Sequence, residues 1–184
     1  MVSLASLWLP IVVSAVLVFL TSSILHMVLK YHKADYRKLP KEDAALEALR
    51  GTPPGYYPMP YCADPKEMAN PEMAAKYQNG PVGILTVVPS GPPNMGKLLG
   101  QWFVYCLVIA VFSGYLASRT VASATEYLAV FRIVGTTAFM GFGLGELSNS
   151  IWRGQPWGNT FRALFDGLVY ALVTAGTFGW LWPR

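Results

Sequence analysis

Four unbroken apolar stretches, roughly Leu4–Leu29, Leu98–Ala117, Tyr127–Leu147 and Phe161–Trp182, are separated by polar connections. Each is about the ~20 residues that an α-helix needs to cross a ~30 Å hydrocarbon core. A spanning segment must satisfy its own backbone hydrogen bonds in lipid, and the chain lacks the alternating ten-residue runs of a barrel. The pattern therefore predicts an all-α fold: a four-helix transmembrane bundle, read as one integral membrane domain over 1–184, with a long proline-rich loop at 30–97 bearing short helices.

Inside that loop the order of breakers and caps sets the local expectation. Glu42–Arg50 is rich in helix formers and stops at Gly51, after which Pro53, Pro54, Pro58 and Pro60 forbid helix through Thr52–Tyr61. Asp64 and Asn70 each stand before a proline at a first helical position, which predicts short helices at about 65–69 and 71–78. Val82–Val88 is β-branched and apolar enough for a short strand, but no alternating partner is evident. Tyr56–Tyr61, aromatic and proline-rich, is expected to be extended, as a partner-docking segment or lying on its own membrane surface.

Small residues recur on the predicted helices at fourfold spacing. Gly167, Ala171, Ala175 and Gly179 form one stripe on the fourth; Cys106, Ala110, Gly114 and Ser118 form another on the second; Thr137, Gly141 and Gly145 lie ahead of Asn149 on the third. Such stripes let helix backbones approach closely, within one chain or between copies. Trp102, Trp152, Trp157, Trp180 and Trp182 are read as interfacial anchors.

Charge then gives the helices an orientation. The net charge of +4 is concentrated: Lys30, Lys33, Arg37, Lys38 and Lys41 directly follow the first helix, which marks a membrane surface rather than a nucleic-acid site. Nine Lys and Arg in 30–97, with Arg153 and Arg162, stand against Arg119 and Arg184 on the other face, so the loop is expected in the cytoplasm and both termini outside. The first stretch has no basic lead and no small-residue cleavage site, and is read as an uncleaved anchor. Cys62 and Cys106 form no disulfide framework.

Ionisable side chains within apolar stretches are functional suspects, since a charge at the bilayer centre costs about 2.5–3.5 kcal/mol on insertion scales. His26, Glu146, Arg162 and Asp166 all fall toward the cytoplasmic ends and are candidates for one polar cluster that passes a proton or holds a cation. The plainer reading makes Arg162–Asp166 a local i,i+4 pair capped by Tyr170, with Arg132 and Glu146 reaching for opposite interfaces. No metal or other cofactor is expected. Cys62, Cys106, His26 and His32 lack ligand spacing, and one chain offers a haem only His26 within a helix. Gly91–Lys97 has prolines where a phosphate loop needs backbone donors, and Ser90, Ser148 and Ser150 lack a nearby histidine base.

Asn149-Ser150-Ile151-Trp152-Arg153-Gly154-Gln155-Pro156-Trp157, followed by Asp166-Gly167 and Tyr170, resembles a segment of small uncharacterised bacterial inner-membrane proteins that share a domain of unknown function. The resemblance covers the C-terminal third and implies four helices in a bacterial cytoplasmic membrane, without an activity. The first helix departs from it, with Leu25-His26 where an aromatic pair is expected. The expected function is a non-enzymatic accessory or structural membrane protein, with the lipid bilayer and a membrane protein or second copy as partners and no nucleic acid. Proton-coupled transport or relay through the polar cluster is the alternative, and a subunit anchoring a cofactor or enzyme the third reading.

Overall fold

The computed structural model describes residues 2–183, which gather into two compact units. The first contains the chain up to Tyr36, Asn94–Ser150 and everything from Gln155; the second contains Arg37–Pro93 with Ile151–Gly154. The 3₁₀ turn Lys30–Asp35 belongs to the first unit, which holds the four apolar helices.

The membrane unit is built on helix α1 (Trp8–Ser23), and the chain is mostly helical throughout. A 3₁₀ turn at Leu4–Leu7, capped by Ser3 Oγ, leads into α1, and Pro10 is tolerated because it sits in the first turn. In the second unit, α2 (Glu42–Ala48), strand β1 (Gly55–Met59), a 3₁₀ turn at Pro65–Ala69, α3 (Pro71–Asn79) and strand β2 (Gly83–Val87) follow in order. The remaining helices are α4 (Met95–Thr120), α5 (Tyr127–Phe142), α6 (Leu147–Arg153) and α7 (Trp157–Trp180). Four spans, Leu4–Val28, Met95–Thr120, Tyr127–Arg153 and Trp157–Trp180, are long and apolar enough to cross a membrane.

These pack as a ring in which α1 touches α4 and α7, and α5 touches the same two. Val12, Leu17, Leu20, Phe112 and Leu172 point outward, an apolar perimeter of the kind that lipid covers. Inside, the small-residue stripes set the close approaches. A Cβ placed on Gly167 would lie 2.7 Å from Gly143 Cα, so α7 and the end of α5 meet backbone to backbone. A Cβ on Gly114 would come within 3.2 Å of the Phe178 ring, on Gly141 within 3.0 Å of Ile109, and on Gly179 within 2.6 Å of Tyr127. Ala110, Ala171 and Ala175 are buried, while Gly145 meets nothing within 4 Å.

The second unit follows its capping signals. Asp64 accepts a hydrogen bond from Lys66 N–H and Asn70 one from Glu72 N–H, which starts the turn at Pro65 and the helix at Pro71. The strand partner invisible in the sequence is the Tyr56–Pro58 segment: β1 and β2 pair antiparallel with Tyr57 opposite Leu85. A two-stranded ribbon has a free edge on each side, which is why Pro58 fits a strand here.

Candidate functional site

The end of α1 is where the chain leaves regular geometry. Ile24–Val28 widens into a single π turn, closed by the Leu29 N–H donating to the Ile24 carbonyl at 3.1 Å. The 3₁₀ turn Lys30–Asp35 then folds back against α7. This places His26, Tyr31, His32 and Asp35 around Asp166, a buried carboxylate on α7.

His32 Nε2 lies 2.8 Å from Asp166 Oδ2, and His26 Nε2 lies 3.7 Å from the same oxygen. The Tyr31 hydroxyl donates to Asp166 Oδ1. Burial first, then that hydrogen bond and the charges of Asp166 and Asp35, push the Tyr31 phenol far above its ordinary value, so it remains a donor. The two imidazole rings stack, with centroids 4.2 Å apart and planes 10° from parallel.

A second layer fixes these groups. His26 Nδ1–H donates to the Ser22 carbonyl at 3.0 Å, and the Ser22 hydroxyl accepts from Trp102 Nε1–H on α4 at 2.8 Å. His32 Nδ1 lies 2.6 Å from Asp35 Oδ2; Arg162 Nε donates to Asp35 Oδ1 at 2.5 Å and is itself steadied by Asn159. Burial works to raise the Asp35 carboxyl, but hydrogen bonds and charge from His32 and Arg162 outweigh it and hold it below the usual carboxylate range.

Of the four candidates for the cluster, His26 and Asp166 meet directly, and Arg162 joins through Asp35. Glu146 stands apart, accepting from Asn149 Nδ2 at 2.8 Å. The i,i+4 pair expected between Arg162 and Asp166 is replaced by Arg162–Asp35, because the 3₁₀ turn delivers a carboxylate nearer to the guanidinium. Tyr170 does not cap that pair either; its buried hydroxyl has no partner, and Tyr31 occupies the expected role. His32 and Asp35 were not singled out as site residues from the sequence. The signal available was their own i,i+3 spacing directly beyond the first apolar stretch, since two such residues share one face of a turn.

His26, His32, Asp35, Asn159 and Asp166 line a cleft of about 560 Å³. On its other side His26 also borders an apolar groove of about 280 Å³ with Met27, Met95, Leu99 and Trp102. Elsewhere in the membrane unit the buried polar side chains among the described residues are serine and threonine hydroxyls. Ser14, Ser118, Thr174 and Thr177 donate to carbonyls of their own helices. Comparison with protein-family models, with curated proteins and with solved structures returns no match.

The fold and the site together define a class: a mostly helical chain with four helices fit to cross a membrane, the make-up of a multi-pass membrane protein. At one end of its bundle it carries a histidine–aspartate centre.

Proposed function

We propose that this membrane protein works through the centre around Asp166, binding a small polar or ionic ligand at the membrane surface, with the bundle as its anchor. The observation that carries this reading is the convergence of His26 Nε2 and His32 Nε2 on one buried carboxylate oxygen beside an open cleft. By the positive-inside bias the centre lies on the cytoplasmic face, since it sits at the end of α1 and the start of α7, next to the basic connections. A bacterial cytoplasmic membrane is the location that accords with the resemblance of the C-terminal third.

Two other readings receive less support. Relay of protons across the whole bundle would need a chain of polar groups beyond the centre, whereas Leu7, Val130, Val134 and Phe178 fill the far half, Ser118 and Thr177 bond back to their own helices, and Ser113 Oγ has no hydrogen-bond partner. An accessory role through small-residue faces is weakened because Gly114, Gly141, Gly167, Gly179 and the buried alanines are already occupied by neighbours within the chain.

Native mass spectrometry of the protein extracted from its own membrane in mild detergent tests the reading. A bound mass retained by the wild type and lost from Asp166→Asn is the expected result. A wild type and variant alike in carrying no ligand, both held by a larger membrane complex, would return the function to an accessory subunit.

A further inference from the structure

The protons at the centre can be followed atom by atom. On His26 the ring nitrogen facing the Ser22 carbonyl must carry the hydrogen, because a carbonyl only accepts. On His32 the nitrogen facing the Asp35 carboxylate must carry one for the same reason. Each neutral ring therefore presents a bare lone pair at Nε2, and both lone pairs aim at Asp166 Oδ2, itself an acceptor. With both rings neutral, three electron-pair donors converge on one point. A hydrogen on His32 Nε2 would bridge the 2.8 Å pair alone and leaves His26 Nε2, 3.7 Å from the same oxygen, beyond hydrogen-bond reach. Arg162 gives no relief, being committed to Asp35.

One divalent cation shared by the three atoms satisfies them all. Building on the reading of this centre as the working part of the molecule, we propose that His26 Nε2, His32 Nε2 and Asp166 Oδ2 bind a first-row divalent transition metal, zinc or iron(II). Two imidazoles and one carboxylate are the donor set that suits those ions, and three protein ligands leave a coordination position open, as in catalytic rather than structural sites. Metal bonds of roughly 2.0–2.2 Å put ligand atoms roughly 3–3.5 Å apart. The separations here are 2.8 and 3.7 Å, with all three atoms inside 4.8 Å of one another, so small side-chain rotations suffice.

The surroundings match what metal ligands require. Each ligating histidine donates its other N–H to an oxygen, His32 to a carboxylate and His26 to a backbone carbonyl, which fixes tautomer and ring plane. The carboxylate ligand is held through its second oxygen by Tyr31. Asp35 is oriented by Arg162, and Arg162 by Asn159. His26, His32 and Asp166 all line the cleft of about 560 Å³, which would give an ion held there room for water and a small substrate.

The test is metal binding by the full-length protein in detergent, with the purification tag removed so that no foreign histidines remain. Titration with Co²⁺ alone should give a visible absorption band saturating at one ion per chain, and Zn²⁺ should displace it. His26→Asn, at a side chain half exposed and so tolerant of change, and Asp166→Asn should each abolish the band, while Tyr31→Phe and Asp35→Asn should weaken affinity about 10–100-fold. Glu146→Gln should bind as the wild type does. Metal analysis after anaerobic purification then assigns the resident ion as iron or zinc, either of which upholds the site. The proposal is overturned if the wild type shows no cobalt band and retains no zinc after dialysis, or if well-folded His26→Asn and Asp166→Asn bind as the wild type does. An organic ligand retained by the wild type, lost from Asp166→Asn and accompanied by no metal would also overturn it while leaving the centre as the functional site.

Discussion

The two halves of the membrane unit solve the same packing problem in opposite ways. Around Phe178 the interior is apolar and closed: Leu7, Val130, Val134 and Ala175 are fully buried, and the indole N–H of Trp182 reaches the Ala122 carbonyl at 2.9 Å. Around Asp166 the interior ends in aromatic rings and then in charged and titratable groups. In this second half, donors are oriented toward a common point, at a cost in desolvation that packing alone would not demand. Stability is therefore expected to reside in the first half and ligand chemistry in the second.

The largest separation should come from Phe178→Ala. No part of that side chain is exposed, and its ring fills the space against Gly114, so truncation leaves a cavity and removes its dispersion contacts. A loss of about 3–5 kcal/mol is expected. Cobalt binding by the fraction that remains folded should be unchanged. Thermal unfolding in detergent followed by metal titration reads both, and reduced metal affinity in the folded fraction would show that the halves are coupled.

Gly167→Ala should come next, at about 1–3 kcal/mol. The added methyl would meet the Gly143 backbone, which cannot swing away as a side chain can, so α7 must move off α5 one residue from Asp166. Gly145→Ala is the matched control: nothing stands within 4 Å, and no loss is expected. Equal effects from the two would mean that the α5–α7 seam is looser than this packing implies.

Both glycines belong to small-residue stripes that are plain in the sequence, yet only one is packed, because fourfold spacing identifies a helix face and not its neighbour. The four apolar stretches and the caps at Asp64 and Asn70 were legible for a related reason: their physics is local. The centre was not. The π turn after Ser23 has no sequence signature, and placing the membrane boundary at Leu29 put His32 and Asp35 into the loop. Arg162 was matched with Asp166 at i,i+4, while its partner lies 127 residues away. Ligand spacing along the chain was equally silent, since His26, His32 and Asp166 converge only after α1 packs on α7.

The smallest effect lies on the boundary between the halves. Tyr170 packs its ring against Phe142 and Trp102, with centroids at 5.5 and 5.8 Å, but its buried hydroxyl has no hydrogen-bond partner. Tyr31 is its counterpart, with a hydroxyl committed to Asp166. Removing an unsatisfied buried hydroxyl relieves a desolvation penalty, so Tyr170→Phe should gain about 1 kcal/mol, whereas Tyr31→Phe strips a donor from a charged acceptor and should lose stability. Opposite shifts in unfolding temperature place the edge of the polar half between Asp166 and Tyr170. A loss from Tyr170→Phe would mean that a water joins its hydroxyl to the centre, and the polar half would then extend one helical turn deeper into the membrane.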